Sequence, residues 1–155
     1  MKKADMWQDP FQLVASCHFL PQLEAQTREA VLEMMVRQLD VDLPAISRVE
    51  LLASVLRRER IRATGTPEGV AFPHGKHARI DDIYAVVATT QKPVDFGAGE
   101  AMPCRILILT VSSVYRADSH LQFLAHMARC LCQAKVRDAV LAAKDEHALI
   151  RAFCG

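Results

Sequence analysis

A chain of 155 residues with 51% apolar and 24% charged side chains has enough material for one hydrophobic core, and nothing in its composition points to general disorder or to a second ordinary domain. A formal net charge of +1, from 19 Lys plus Arg against 18 Asp plus Glu, supplies no one-signed field to recruit nucleic acid or an anionic membrane, so any partner is found by local surface. Cys17, Cys104, Cys130, Cys132 and Cys154 are odd in number and irregular in spacing, which argues against a disulfide framework and for reduced thiols in a cytoplasmic protein.

Residues 1 to 19 have no clear period: Trp7, Phe11 and Phe19 are irregularly spaced, and Pro10 and Pro21 interrupt any helix. Met1 and the residues after it lack the long apolar region of a secretory signal. No apolar run reaches the roughly 18 residues a membrane helix requires. From Gln22 to Leu39, Leu23, Val31, Met34, Met35 and Leu39 recur at helical spacing opposite Glu24, Arg28, Glu29, Glu33 and Arg37, which predicts an amphipathic helix. Ser47 and Glu50 form a capping-box pattern, with Ile46 and Leu51 placed as a hydrophobic staple, so a second helix is expected from about Arg48 to Arg58. Arg57, Arg58 and Arg60 crowd its last turn, where they complement the carbonyl end of the helix dipole.

Thr64 to Gly69 is a turn segment, and Val70 to Phe72 a short apolar strand. Ile83 to Thr90 and Arg105 to Val111 are aliphatic runs that predict strands buried on both faces, at the centre of a sheet. A helix follows from about His120 to Gln133, then helical pieces over Val136 to Ala143 and Glu146 to Phe153. Cys130 and Cys132 fit this stretch as small fillers, because residues two apart diverge on a helix and no second pair completes a zinc site. The order of elements defines an α/β domain. Neither phosphate-loop glycine pattern occurs, which leaves nucleotide binding without support.

His74 closes the apolar run between Pro73, whose ring fixes its own backbone and pushes Phe72 toward extended geometry, and Gly75, with Lys76 beside them. Such an imidazole is well presented, and with an ordinary pKa near 6.5 much of it is neutral and nucleophilic at cytoplasmic pH, so attack on phosphorus is chemically sensible. On the local motif alone, a structural turn histidine stands level with that reading. His120 is placed at a helix N-terminus with Asp118 or Ser119 as N-cap, where free N–H groups favour an anion, although a solvent-facing first-turn histidine is commoner. A metal site drawn from His74, His77, His120 and His126 has no companion carboxylate or thiolate at a recognised spacing. His18 and His147 have no chemical companion.

Taken together, Leu56 to Glu59, Gly65 to Gly69, Val70 to Gly75, Pro93 to Phe96, Arg105 to Val111, and Ser119 to Leu121 resemble the enzyme IIA domain of the fructose/mannitol and nitrogen-related family of the bacterial phosphoenolpyruvate-dependent phosphotransferase system. The constellation of Arg58, 16 residues before His74, and His120, 46 residues after it, is the specific part. The resemblance runs from about Arg48 to the C-terminus. It implies a single-domain α/β sandwich, a central mixed sheet flanked by helices on both faces, with residues 46–155 as its core and residues 1–45 as a divergent N-terminal helical segment of the same domain.

It also implies that His74 accepts a phosphoryl group from HPr, or from the nitrogen-branch counterpart of HPr, and passes it to a IIB domain or a regulatory target. Arg58 and His120 would hold the phosphoryl oxygens, with Glu68, Pro73 and Gly75 at the rim, and neither metal nor cofactor is called for. With no IIB or membrane IIC domain fused to the chain, the expectation leans toward nitrogen-branch-like regulation over dedicated sugar transport. Pro67 replaces flexibility in the loop before the strand, and Phe72 stands where the family usually has a smaller aliphatic. Both motivate an alternative, a regulatory docking module with this fold and little phosphotransfer. A metal hydrolase built on the histidines is a third reading.

Overall fold

The computed structural model describes residues 17–115 and 117–154. Trp7, Pro10, Phe11 and the N-terminal residues considered for a secretory signal lie outside the described residues. A five-stranded mixed sheet is formed by β1 (Cys17–Leu23), β2 (Val70–Ala71), β3 (His74–His77), β4 (Ile83–Asp95) and β5 (Pro103–Ser113). The order across it is β1, β4, β5, then β2 and β3 along the same far edge. Only β4 and β5 run antiparallel; β1 on β4, and β2 and β3 on β5, are parallel. Helices α1 (Arg28–Arg37) and α2 (Arg48–Ile61) precede β2, and α3 (Ala117–Leu131), α4 (Ala134–Ala142) and α5 (Glu146–Cys154) follow β5.

The two central strands divide their side chains between two cores, as period-two geometry requires. Val86, Ala88, Leu107, Leu109 and Val111 pack with Val31, Leu32, Met35, Leu51 and Val55 of α1 and α2. Their alternates Ala85, Val87, Ile106 and Ile108 pack with Phe123, Met127, Val140 and Leu149 of the last three helices. Helices therefore cover both faces, and β4 and β5 are the centre of the sheet.

The first helix corrects the expectation from periodicity. Leu23 ends a strand, and α1 begins only at Arg28, after Thr27 accepts a hydrogen bond from the Ala30 N–H at 3.1 Å. Strand β1 is an edge strand in which Phe19 alone is fully buried, so it has no alternation to read, and Pro21 is tolerated because one side of an edge needs no ladder bond. Gln22 adopts φ +56 where the register slips, its N–H donating to Thr89 Oγ1 at 2.9 Å and its side-chain amide donating to the carbonyls of Leu141 and Ala143. That amide ties the sheet edge to the end of α4.

Helix α2 starts at the predicted cap, with Ser47 Oγ accepting from Glu50 N–H at 3.1 Å. The box closes on one side only. The Glu50 carboxylate turns to His77 Nε2 at 2.8 Å and Arg79 Nη2 at 3.0 Å, pinning the helix start to the end of β3. Helix α3 begins at Ala117, so Asp118 and Ser119 stand inside its first turn and are not its N-cap. Cys132 lies just past the end of α3.

Candidate functional site

Strands β2 and β3 are nearly one strand: Val70 pairs with Ile106 and His74 with Thr110, in the same parallel register on β5. The break at Phe72 and Pro73 follows from proline's missing N–H, while the Pro73 carbonyl still accepts from Thr110 N–H at 3.1 Å. The outer side of this edge is partly covered: Gly65 bridges Ala71, and the Phe72 N–H donates to the Thr64 carbonyl.

Alternation along β3 sends His74 and Gly75 to opposite faces. Gly75 meets α2: a Cβ there would stand 2.8 Å from Ser54 Oγ and 3.1 Å from the Val55 backbone nitrogen. Ser54 Oγ also donates to the Lys76 carbonyl at 2.8 Å and accepts from Lys76 N–H at 3.2 Å, covering the open edge where its backbone groups would otherwise lack a partner. This close approach carries Arg58, one turn on from Ser54, to the side of His74. Arg57, Arg58, Ile61, His74 and Lys76 line a cleft of about 380 Å³. Arg58 Nη1 donates to the Arg62 carbonyl at 2.8 Å, satisfying the end of α2, and among the described residues its guanidinium makes no ion pair.

His74 shares its face with Thr110, and α3 crosses above them. The rings of His74 and His120 stand 4.9 Å apart, centroid to centroid, tilted by 54°. His120 Nε2 is 2.9 Å from Thr110 Oγ1, and both residues are buried. His74 Nδ1 is 3.0 Å from the Phe72 carbonyl, and since a carbonyl only accepts, Nδ1 carries the proton of the neutral ring and Nε2 keeps the lone pair. Burial holds the pKa of His74 below its ordinary value, with Arg58 and Lys76 acting in the same direction and the Phe72 carbonyl and Glu59 opposing. Burial, followed by the fields of His74, Lys76 and Arg58, pushes His120 down to about 4. Both imidazoles are neutral at pH 7.

Of the residues singled out from sequence, Arg58, His74, Pro73, Gly75 and His120 come together. Glu68 does not join them: it lies in the turn before β2 and lines a separate cleft with Thr66, Phe72 and Leu131. The carboxylate whose field reaches His74 is Glu59, 3% exposed, which accepts from Thr64 N–H and Thr64 Oγ1, with Arg28 Nη1 at 3.8 Å. The Phe72 side chain also faces the other cleft, while its carbonyl orients His74. Sequence reasoning passed over Thr110 and Ser54; Thr110 is a polar residue inside an aliphatic strand, which is the signal that marks it. His77 is engaged by Glu50, and His126 Nε2 lies 3.7 Å from Cys130 Sγ. Among the described residues no group of three or more His, Cys, Asp or Glu is placed to hold a metal ion, and no helix is long and apolar enough to cross a membrane.

This α/β sandwich is that of solved enzyme IIA proteins. The nitrogen regulatory protein IIA-Ntr of Neisseria meningitidis superposes with a TM-score of 0.79 at 21% identity, over 90% of this chain and 94% of that one. IIA mannitol of Escherichia coli, solved in complex with phosphorylated IIB mannitol, superposes with a TM-score of 0.74 at 19% identity, over 89% and 94%. In sequence, a nitrogen regulatory protein of Bradyrhizobium diazoefficiens is 26% identical across 88% of this chain and 89% of its own length. Residues 13–154 match the family described as phosphoenolpyruvate-dependent sugar phosphotransferase system, EIIA 2. The chain belongs to that family.

Proposed function

We propose that this chain is a histidine phosphocarrier that takes a phosphoryl group onto Nε2 of His74 from HPr, or from the nitrogen-branch counterpart of HPr. The observation that carries the reading is the ring geometry of His74: Nδ1 is committed to the Phe72 carbonyl, leaving Nε2 as the nucleophile beside Arg58 and His120. In the step, the donor's P–N bond breaks as the P–Nε2 bond forms in line; the donor imidazole leaves with its electron pair, and no redox partner is needed. Catalysis is then positioning and charge stabilisation. Arg58 offers forked donors to the phosphoryl oxygens. In this reading the Thr110 hydroxyl is the donor across its 2.9 Å contact with His120 Nε2, so that His120 Nδ1 carries the proton and serves the phosphoryl group. The arriving dianion also raises the proton affinity of His120, which strengthens that bond.

The phosphoryl group passes to a IIB domain or serves as a signal. Similarity to nitrogen regulatory proteins along nearly the whole chain supports regulation, and a IIB domain is the alternative recipient. Incubation with phosphoenolpyruvate, enzyme I and HPr should add one acid-labile phosphoryl mass to the protein and none to His74→Ala. Label retained in His74→Ala moves the acceptor elsewhere. Wild type left unlabelled by several HPr-type carriers ends the carrier reading and leaves the docking-module one.

A further inference from the structure

We propose that Glu59 is a positioning residue for transfer at His74, acting through Thr64 and Phe72 to keep the imidazole turned with Nε2 toward the incoming phosphoryl group. This rests on the reading of His74 as phosphoacceptor and adds what holds the acceptor ring in its productive orientation.

Among the described residues, Glu59 is the one Asp, Glu, Lys or Arg buried in the fold. A carboxylate taken out of water costs stability unless it is well partnered, and an apolar side chain of similar size in such a place is often as stable or more so. Stability alone therefore gives little reason for an acid here, and its partners show what it does. Glu59 accepts from Thr64 N–H at 3.3 Å and from Thr64 Oγ1, while Arg28 Nη1, from the start of α1, stands 3.8 Å away and offsets the charge. The carboxylate thus clamps Thr64 to the last turn of α2, the turn that also carries Arg58.

Thr64 opens a short outer ladder on the chain that leads to His74. Its carbonyl accepts from Phe72 N–H at 3.4 Å, Gly65 bridges Ala71, and Thr66 N–H donates to the Val70 carbonyl at 2.9 Å. Phe72 stands where the edge strand breaks before Pro73, and its carbonyl turns to His74 Nδ1 at 3.0 Å. Carboxylate, Thr64, Phe72 backbone and imidazole therefore form an unbroken run of hydrogen-bonded groups. When Phe72 shifts, Nδ1 loses its acceptor and the proton is free to move to Nε2, the commoner tautomer of an unconstrained imidazole, where it blocks attack on phosphorus. Transfer between two imidazoles depends on alignment, so a small turn of the ring is costly.

The test joins 15N spectra of the His74 ring at neutral pH to the kinetics of transfer from a phosphorylated HPr-type carrier. Wild type should show the Nδ1–H tautomer. Glu59→Gln, whose amide can accept only one of the two bonds from Thr64, and Thr64→Val, which keeps the shape and removes the hydroxyl, should each populate Nε2–H. Both should lower kcat about tenfold and leave KM for the carrier within about twofold of wild type. Thr64→Ser should restore tautomer and rate together, and Glu33→Gln, exposed on α1, should match wild type. Slower transfer with the wild-type tautomer, or wild-type rate and tautomer in both variants, overturns the positioning role while leaving His74 as acceptor. Thr64→Val decides alone where Glu59→Gln does not fold. A wild-type chain that takes no label on His74 removes the acceptor reading, and this proposal with it.

Discussion

Thr110 links the two histidines without touching solvent: its N–H bonds the Pro73 carbonyl and its hydroxyl bonds His120 Nε2. Thr110→Val keeps the shape and removes the hydroxyl, leaving a buried ring nitrogen unpaired at a cost of about 1–2 kcal/mol. Phosphotransfer to this variant should be about tenfold slower, because His120 loses the contact that selects its tautomer. Thr110→Ser should recover most of the rate, and the 15N shift of His120 Nε2 should report whether the hydroxyl bond has returned. Ser112, two residues on, gives the opposite expectation. Its Oγ is buried with no hydrogen-bond partner among the described residues, so Ser112→Ala should leave stability unchanged or raise it by up to about 1 kcal/mol in urea denaturation.

The pairing of α2 with β3 is what turns a C-terminal arginine of a helix into a neighbour of His74. Gly75 is the contact point, and Gly75→Ala drives a methyl group into Ser54 Oγ, itself held by the Lys76 backbone, and into the Val55 backbone. Relief requires the helix to move off the strand, so thermal melting should show a loss of about 1–3 kcal/mol. Labelling of His74 should fall with it as Arg58 retreats. Much of this element was legible: the Ser47 cap, the Arg cluster and the apolar strand before His74 are all local signals. The contact with Gly75 was not, since an edge glycine in sequence says only that no side chain is present, and not which element exploits the space. Strand β1 escaped for a related reason, because its partner β4 lies more than sixty residues away and its own pattern is not alternating.

At the scale of the whole molecule, two neutral histidines between sheet and helix, His120 buried and His74 partly so, make stability depend on pH. In the unfolded chain each imidazole takes up a proton near pH 6.5, whereas folded His120 does so only at about 4, and His74 is shifted in the same direction. Between those values the unfolded state binds more protons, so stability rises with pH through that window. It should be complete above about pH 6.5 and be lost progressively down to about pH 4. Urea midpoints measured across this range should fall with acid in wild type and fall less in His120→Gln. Phosphorylation should move the lower limb upward, since a dianion on His74 favours the protonated form of His120.

What the chain determined by itself was the α/β class, the two central strands, the helices that follow them, and the presentation of His74 after Pro73, because each depends on periodicity or on the stereochemistry of neighbouring residues. The resemblance added Arg58 and His120 as companions, and tertiary structure brought them to His74 while placing Glu68 in another cleft. Only the folded chain decided that Glu59 is the carboxylate whose field His74 feels, that Nε2 is its free nitrogen, and that Thr110 holds the second imidazole. Those are relations across the sheet, between residues whose separation in sequence carries no information about their distance in space.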